Sequence, residues 1–191
     1  MFFCPITLCN CLYKIIAKVI SRRLKVILSC CICNEQFGFL EGRQIHEAIG
    51  VAQEGLHSLK TRKLKGAVVK IDLYKDFDWV ILIYIRMLLT HLCFCYDFIK
   101  CIMACLTTVS FDVLINGYAS LFSLRRGLRQ GCPLSPLLFL LVAEGLSRFI
   151  LAAKVVGSFK GILVSEVLFI THLLFVDDIL IFFLWYSSRY Y

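Results

Sequence analysis

The sequence predicts an α+β fold, in which helices and antiparallel strands mix without a regular strand–helix–strand repeat. Three observations support this class. Apolar residues recur at helical spacing near the N-terminus, short β-rich runs stand at 65–73 and 173–182, and Asn116-Gly117 marks a hairpin turn between two further runs. With 191 residues, 60% of them hydrophobic, the chain is long enough for one compact domain and too short for two.

The N-terminal third is predicted to be helical and basic. Between Cys11 and Leu28 apolar residues follow the helical period, and basic residues occupy the other face: Lys14, Lys18, Arg22 and Lys25. A second helix is predicted from Ile45 to Leu59. The net charge is +8, and the first 65 residues hold ten of the 21 Lys and Arg residues against four acidic ones. This excess favours a polyanionic partner, although many solvated surfaces are basic too.

The middle of the chain combines a strand, a helix and a loop rich in Gly, Pro and Arg. The β-branched run from Lys65 to Leu73 predicts a strand, and Tyr84 to Thr107 reads as one helix. After the hairpin SFDVLINGYASLFSL comes the loop RRGLRQGCPLSP. Its last two residues suit a helix start, so we predict a helix from Pro136 to about Ala152 with Ser135 as its cap.

Two adjacent aspartates interrupt an apolar run near the C-terminus. In LLFVDDILIF, residues 173–182, Asp177 and Asp178 are flanked by eight apolar residues. Ionised carboxylates in such surroundings need a cation, a metal or protonation. A hairpin turn is the simpler reading, because Asp tolerates tight turns. A divalent metal site would explain both carboxylates but calls for further oxygen ligands.

A third carboxylate, Asp72, ends the predicted strand KGAVVKIDL. Taken alone, it could cap the strand end. Together with Asp177 and Asp178 it could hold two divalent ions about 3.5–4 Å apart, an arrangement that activates an attacking hydroxyl and stabilises a leaving pyrophosphate. The three aspartates therefore predict a site for nucleotidyl transfer.

Neither a membrane span nor a disulfide framework is predicted. The mean hydropathy is +0.81, but each of the most apolar stretches is interrupted by charged residues or proline before it reaches the roughly 20 residues of a spanning helix. The N-terminus lacks the basic segment of a signal peptide. The eleven cysteines are thus expected to be mostly buried thiols. Cys30 and Cys33 form one CxxC, without a second pair at zinc spacing.

Five motifs in order resemble the reverse transcriptases of LINE-type, non-LTR retrotransposons, especially those of plants. They are CPITLCNCLYKIIAKVISRRLK, EQFGFLEGRQI, KIDLYKDFDWV, GLRQGCPLSPLLF and FVDDILIF. The resemblance runs nearly from end to end. It implies a right-hand polymerase palm, an antiparallel sheet with packed helices, with part of the fingers. Residues 1–64 would belong to the fingers, and residues 65–191 to the palm with possible intervening fingers elements.

The resemblance also implies roles for individual residues. Asp72, Asp177 and Asp178 would be the catalytic ligands of Mg²⁺, or of Mn²⁺, and Phe77 would be the steric gate against a ribose 2′-hydroxyl. The remaining implied contacts are with nucleotide, template and duplex: Arg43 to phosphate, Gln130 and Gly131 along template and nucleotide, and Arg125, Arg126 and Arg129 to the nucleic-acid backbone.

Each of these residues also has a simpler interpretation. Phe77 could be an ordinary core residue in a chain with 16 Phe, and Arg43 could be solvated. The three arginines of the basic loop could likewise face water. The predicted helix start at Pro136 would add a partial positive charge directed toward the same phosphates.

The chain departs from the family pattern in several places. Cys4 stands where a relative usually has Arg, Asp76 replaces a small residue, and Trp79 replaces Arg or Lys. The sequence stops 13 residues after Asp178, so the resemblance implies that no thumb follows. We therefore expect a truncated or degenerate copy, an enzyme by resemblance that is inactive as a fragment.

Three functional hypotheses follow. The first is an RNA-directed DNA polymerase that uses an RNA template, a DNA primer and dNTPs. The second is a catalytically inactive remnant that still binds nucleic acid. The third, motivated by hydropathy alone, is a small membrane-associated protein. The first two predict an intracellular location, in the nucleus or cytoplasm.

Overall fold

The computed structural model describes residues 9–108, 110–116, 118–123, 126–164 and 168–185. It confirms the predicted α+β class, with six helices and seven strands in the part of the chain described. The chain divides into two compact units rather than the single unit expected. The first unit comprises Met1–Cys31 and Lys75–Val142, and the second comprises Ile32–Tyr74 and Ala143–Tyr191.

The first unit is mainly helical. Its long helix α1 covers Cys11–Cys31, and the predicted amphipathic helix is therefore confirmed. Only one narrow stripe of α1 is buried, including Ile20, Leu24 and Leu28, whereas Leu12 remains 71% exposed. The other elements that lie wholly in this unit are α3 (Asp76–Trp79), α4 (Leu82–His91), α5 (Tyr96–Thr107), β2 (Ser110–Ile115) and β3 (Tyr118–Ser123).

The single helix predicted from Tyr84 to Thr107 is wrong, because α4 and α5 are separate. Cys93, between them, adopts a left-handed φ of 59°, which a continuing helix does not allow. The amide of Phe94 bonds the carbonyl of Leu89 at 3.1 Å and closes α4. Apolar residues on both sides hid the break, since Ile85 on α4 and Ile102 on α5 are both fully buried.

The second unit is built on a three-stranded antiparallel sheet. Its strand order is β1-β7-β6, where β1 is Gly66–Asp72, β6 is His172–Phe175 and β7 is Asp178–Leu184. The central strand β7 pairs with β1 over seven residues and with β6 over four. A shorter ladder joins β4 (Ile162–Leu163) to β5 (Phe169–Ile170). The strands predicted around 65–73 and 173–182 are thus confirmed.

Helix α2, Ile45–Thr61, packs on this sheet through a glycine. A Cβ added at Gly55 would lie 2.9 Å from the Phe182 ring, so the absent side chain lets helix and strand approach closely. Phe182 is fully buried, with Ala52, Ile162 and Ile170 in the same apolar cluster. This core supports β7, the strand that begins at Asp178.

Helix α6 runs from Ser135 to Val155, close to the predicted bounds. The predicted Ser135 cap is wrong. The amide of Leu138 already bonds the carbonyl of Leu134 at 3.1 Å, so Ser135 lies inside the first turn, and its buried hydroxyl has no partner among the described residues. In length and apolar composition α6 could cross a membrane, but half of its most apolar window is buried inside the protein, as in a core helix.

Candidate active site

The end of the sheet brings the three predicted aspartates together. Asp72 is the last residue of β1 and stands directly opposite Asp178, the first residue of β7. The amide of Leu73 donates a hydrogen bond of 3.1 Å to the carbonyl of Asp177. Directly opposed residues of an antiparallel pair have Cα atoms about 4.5–5.5 Å apart. The backbones of residues 105 positions apart (177 − 72) therefore meet at one sheet end, with Asp178 rather than Asp177 directly opposite Asp72. The expected convergence of the carboxylates themselves stays a prediction.

A lysine cation is paired with one of these carboxylates. Lys70 Nζ is 2.8 Å from Asp178 Oδ1, in a pair whose side chains are 61% and 45% exposed. The pKa of Lys70 is raised, first by the hydrogen bond to Asp178 and then by the charge of Asp178, with smaller contributions from Asp72 and Asp177. The ammonium group thus senses all three negative charges.

The chemistry of the aspartates suits a hard divalent cation. Mg²⁺ prefers carboxylate oxygens, usually one or two from the protein, completed by water and phosphate. Within the described residues, no three His, Cys, Asp or Glu side chains are already gathered as a metal site. The backbones of Asp72, Asp177 and Asp178 are neighbours, and the side chains of Asp72 and Asp177 are exposed.

The hairpin that carries the aspartates is held at a strained turn. Val176 adopts a φ of 57°, which is rare for a β-branched residue. Its side chain lies over Gly38, where an added Cβ would be 2.8 Å from Val176 Cγ2. The segment containing Gly38 runs along β6, with the Leu174 carbonyl accepting from Phe37 and the Leu174 amide donating to Glu35, at 2.9 and 2.8 Å. This packing fixes the turn just before Asp177.

Arg43 belongs to the same unit, and its guanidinium bonds the backbone of the segment before it. Its guanidinium donates to the carbonyls of Ile32 and Gln36, at 3.1 and 2.6 Å, and also to that of Cys33. These bonds anchor the loop that leads to the segment beside β6. A contact between Arg43 and phosphate stays a prediction, and it would compete with the three carbonyls.

Phe77 lies in the first unit, on the short helix α3. Its half-buried ring stacks on Phe139 with centroids 5.1 Å apart. Its carbonyl accepts the amide of Leu128 at 2.7 Å, and the amide of Gly127 bonds the carbonyl of Val80 at the same distance. The basic loop is therefore tied directly to α3. The role of Phe77 as a steric gate stays a prediction.

The three loop arginines differ in their surroundings. Arg125 lies outside the described residues. Arg126 is exposed, and its guanidinium lies 4.6 Å from the centroid of the Trp79 ring. Arg129 is only 7% exposed, donates to the carbonyl of Cys105 at 3.2 Å and lies 4.2 Å from the Tyr13 ring. Contact with nucleic acid stays a prediction for all three, and Arg129 would have to leave its buried site to make it.

Gln130 and Gly131 follow in the same loop. Gln130 is half-buried, and Gly131 is exposed with a φ of 86°, a backbone conformation that favours glycine. An exposed glycine lets other molecules approach the backbone closely. Their placement along template and nucleotide remains a prediction, and Cys4, the first departure from the family pattern, lies outside the described residues.

Sequence reasoning missed two features of the second unit. Lys70 was not singled out, although its spacing of two residues from Asp72 along a strand places both side chains on one face. A buried polar cluster was also missed. Glu144 accepts from the Cys33 amide at 2.9 Å and from Arg148 Nε at 2.7 Å. Cys33 and Glu144 are 111 positions apart in the sequence, and no local sequence pattern indicates that they pair.

A family model described as "Reverse transcriptase (RNA-dependent DNA polymerase)" matches residues 3–184. The chain belongs to the reverse transcriptase family. It is 33% identical over 141 residues to the uncharacterised 149 kDa protein of transposon TX1 from Xenopus laevis, covering 73% of this chain and 11% of that protein. It is 49% identical over 67 residues to an uncharacterised mitochondrial protein of Arabidopsis thaliana, covering 34% and 55%. These relatives are consistent with a non-LTR retrotransposon reverse transcriptase, as predicted.

Solved telomerase structures share the fold. Apo telomerase from Candida tropicalis, truncated from its C-terminal domain, matches with a TM-score of 0.61 at 12% identity, over 87% of this chain and 33% of that chain. Telomerase from Candida albicans, in complex with a fragment of telomeric RNA, matches with a TM-score of 0.59 at 10% identity, over 89% and 30%. The reverse transcriptase spans a third or less of these chains, and the likeness confirms a polymerase fold.

Proposed function

We propose that this reverse transcriptase domain, once a thumb is supplied, catalyses RNA-directed DNA synthesis, the transfer of a nucleotide from a dNTP to the 3′-hydroxyl of a DNA primer on an RNA template. The observation that carries the proposal is the pairing of Asp72 with Asp178 across two strands, with Asp177 in the adjoining turn. Three carboxylates at one exposed sheet end suit two divalent cations.

Asp72, Asp177 and Asp178 would hold Mg²⁺, or Mn²⁺, through their carboxylate oxygens. Bound there, the ions would lower the pKa of the primer hydroxyl and neutralise charge on the phosphates. The chain itself would supply the rigid ladder that keeps the carboxylates adjacent. The hydrogen bond from the Leu73 amide to the Asp177 carbonyl ties strand end and turn together, independently of the side chains.

Substrate contacts belong to the proposal as well. Phe77 would exclude a ribose 2′-hydroxyl, Gln130 and Gly131 would lie along template and nucleotide, and Arg43 would face phosphate. The nucleic-acid backbone would meet Arg126, together with Arg125 and Arg129. Such arginines position a duplex without reading its sequence. The expected location is intracellular, in the nucleus or the cytoplasm.

The decisive experiment replaces Asp177 by Asn. Asn keeps the size of Asp and suits a turn, but it removes a charge that metal binding requires. We expect Asp177→Asn to abolish Mg²⁺-dependent primer extension while it leaves duplex binding intact. The thumb of a related chain would be fused to parent and variant alike if the parent needs it. Asp97→Asn, at an exposed position on α5, is the matched control and should extend like the parent. Undiminished extension by Asp177→Asn would refute the metal assignment.

A second candidate function is nucleic-acid binding without catalysis. The exposed Arg126, stacked on the exposed Trp79, favours it, because an aromatic ring with a cation suits bases and backbone alike. Affinity for an RNA–DNA duplex should then fall steeply with salt, through counterion release, and Arg126→Gln should reduce the slope. A parent that binds duplex in this way, yet extends no primer even with a thumb supplied, would support this second function.

A further inference from the structure

Lys70 forms an ion pair with one of the proposed metal ligands, and the family comparison assigns it no role. Its Nζ lies 2.8 Å from Asp178 Oδ1, on the face of β1 that also carries Asp72. The three aspartates sit at the end of one ladder, where their negative charges would repel each other. A single lysine ammonium is therefore placed where it reduces that repulsion.

The Lys70 ammonium group and a metal ion would repel each other if both were bound to Asp178. A Mg²⁺ ion bound to the same Asp178 oxygen would lie about 2.1 Å from it, on the order of 5 Å or less from Lys70 Nζ. Like charges at that distance repel each other. The Lys70 side chain is 61% exposed, so solvent is open to the ammonium group when it leaves Asp178.

We propose that Lys70 is a built-in counter-cation of the metal-free site, which holds Asp178 in place of a metal and is released when the divalent ion binds. This inference rests on the proposed function, because it takes Asp72, Asp177 and Asp178 to be metal ligands. Lys70 is thus a positioning residue. Before substrate binds, its positive charge reduces the repulsion between the carboxylates. It also competes with the metal for Asp178.

The competition should be modest. Exposed ion pairs contribute little to stability, so losing the Lys70–Asp178 pair when the metal binds lowers the affinity for the metal only slightly. Replacing Lys70 by Met removes the charge and keeps most of the side-chain length. We expect Lys70→Met to bind Mn²⁺ about two- to fivefold more tightly than the parent, and to melt up to about 4 °C lower without metal. Metal would then raise its melting temperature more than it raises that of the parent.

Mn²⁺ binding can be followed directly by the loss of the electron paramagnetic resonance signal of the free aqueous ion. Lys70→Arg should behave like the parent, because it keeps a cation at the same place. Lys65→Met is the matched control, because it removes one exposed lysine charge just before β1 and should leave the Mn²⁺ affinity unchanged. A purely structural role for Lys70 would lower the melting temperature without tightening Mn²⁺ binding.

The outcomes separate this inference from the proposed function. Mn²⁺ binding by the parent that Asp72→Asn removes, together with unchanged or weaker binding by Lys70→Met, would overturn the inference and leave the metal assignment standing. Failure of both the parent and Lys70→Met to bind Mn²⁺ would overturn both. Tighter binding by Lys70→Met, with parental binding by Lys70→Arg and Lys65→Met, is the result we expect.

Discussion

The three aspartates at the sheet end and the buried Glu144 on α6, all in the second unit, have opposite surroundings. At the sheet end, Asp72 and Asp177 are exposed and Asp178 is paired with the exposed Lys70. On α6, Glu144 is only 2% exposed, and its two oxygens receive the Cys33 amide, the Cys33 thiol at 3.1 Å and Arg148 Nε. The aspartates have oxygens open to an exchangeable cation, whereas both oxygens of Glu144 are bonded to donors of the protein.

The difference distinguishes acidic residues that can bind a ligand from acidic residues that stabilise the fold. A carboxylate whose oxygens are filled by fixed donors stabilises the fold and has no capacity left for a ligand. Burial and the hydrogen bond to Glu144 raise the pKa of the Cys33 thiol to about 11, so it stays protonated and remains a donor. Beside it, His172 is fully buried between Ser147 and Thr171, at 2.7 and 2.9 Å.

The largest expected effect concerns His172. Burial lowers its pKa to about 4, against an ordinary value of 6.5, although the charge of Glu144 opposes the shift. The folded protein therefore binds fewer protons here than the unfolded chain. The neutral, buried His172 therefore contributes its full stability to the folded state above pH 6.5. As pH falls from 6.5 toward 4, the unfolded chain takes up the proton first, and the free energy of unfolding decreases by about 3 kcal/mol in total.

Chemical denaturation at pH 7 and pH 4.5 checks this expectation. His172→Gln keeps a donor and an acceptor for Ser147 and Thr171 but cannot titrate, so its free energy of unfolding should fall less than that of the parent. His46→Gln, at an exposed position on α2, is the control. Equal acid sensitivity of His172→Gln and the parent would show that the buried histidine is not the titrating group.

The next effect concerns Glu144. Glu144→Ala removes the acceptor of three hydrogen bonds and leaves the Cys33 amide without its partner, which should cost about 2–3 kcal/mol. Asp178→Asn, the counterpart at the sheet end, should cost less than about 1 kcal/mol, since it weakens one exposed ion pair. Urea unfolding of both variants measures the contrast directly. Similar losses would break the distinction between committed and open carboxylates.

The sheet end could be predicted from the sequence, because its evidence is local. Each short strand that ends in a carboxylate can be recognised in the sequence. The two adjacent aspartates clearly interrupt an apolar run. The buried cluster could not be predicted, because Cys33 and Glu144 are brought together only by the tertiary fold. The break between α4 and α5 was missed for a related reason. Both helices bury apolar residues, so the hydrophobic pattern runs through the turn at Cys93 without a signal.

A smaller loss of stability is expected from a substitution at Gly38, which packs against the turn at Val176 just before Asp177. An added Cβ would meet Val176 Cγ2 at 2.8 Å and the Val176 amide at 3.0 Å, so Gly38→Ala must displace the turn before Asp177. Overpacking of this kind costs about 1–3 kcal/mol, and the loss here should fall at the lower end because the hairpin end can shift. Gly50→Ala is the matched control, since nothing lies within 4 Å of its added Cβ.

The Gly38→Ala variant also tests whether the open carboxylates need a fixed backbone. A displaced turn should move Asp177 relative to Asp72 and weaken Mn²⁺ binding more than the small loss of stability explains. The buried Glu144 cluster should be unaffected, so the acid sensitivity that depends on His172 should match that of the parent. Mn²⁺ titration and unfolding at two pH values, on Gly38→Ala and Gly50→Ala side by side, measure both properties. Parental Mn²⁺ affinity in a destabilised Gly38→Ala would mean that side-chain rotation alone gathers the ligands, and that the strained turn serves the fold rather than the site.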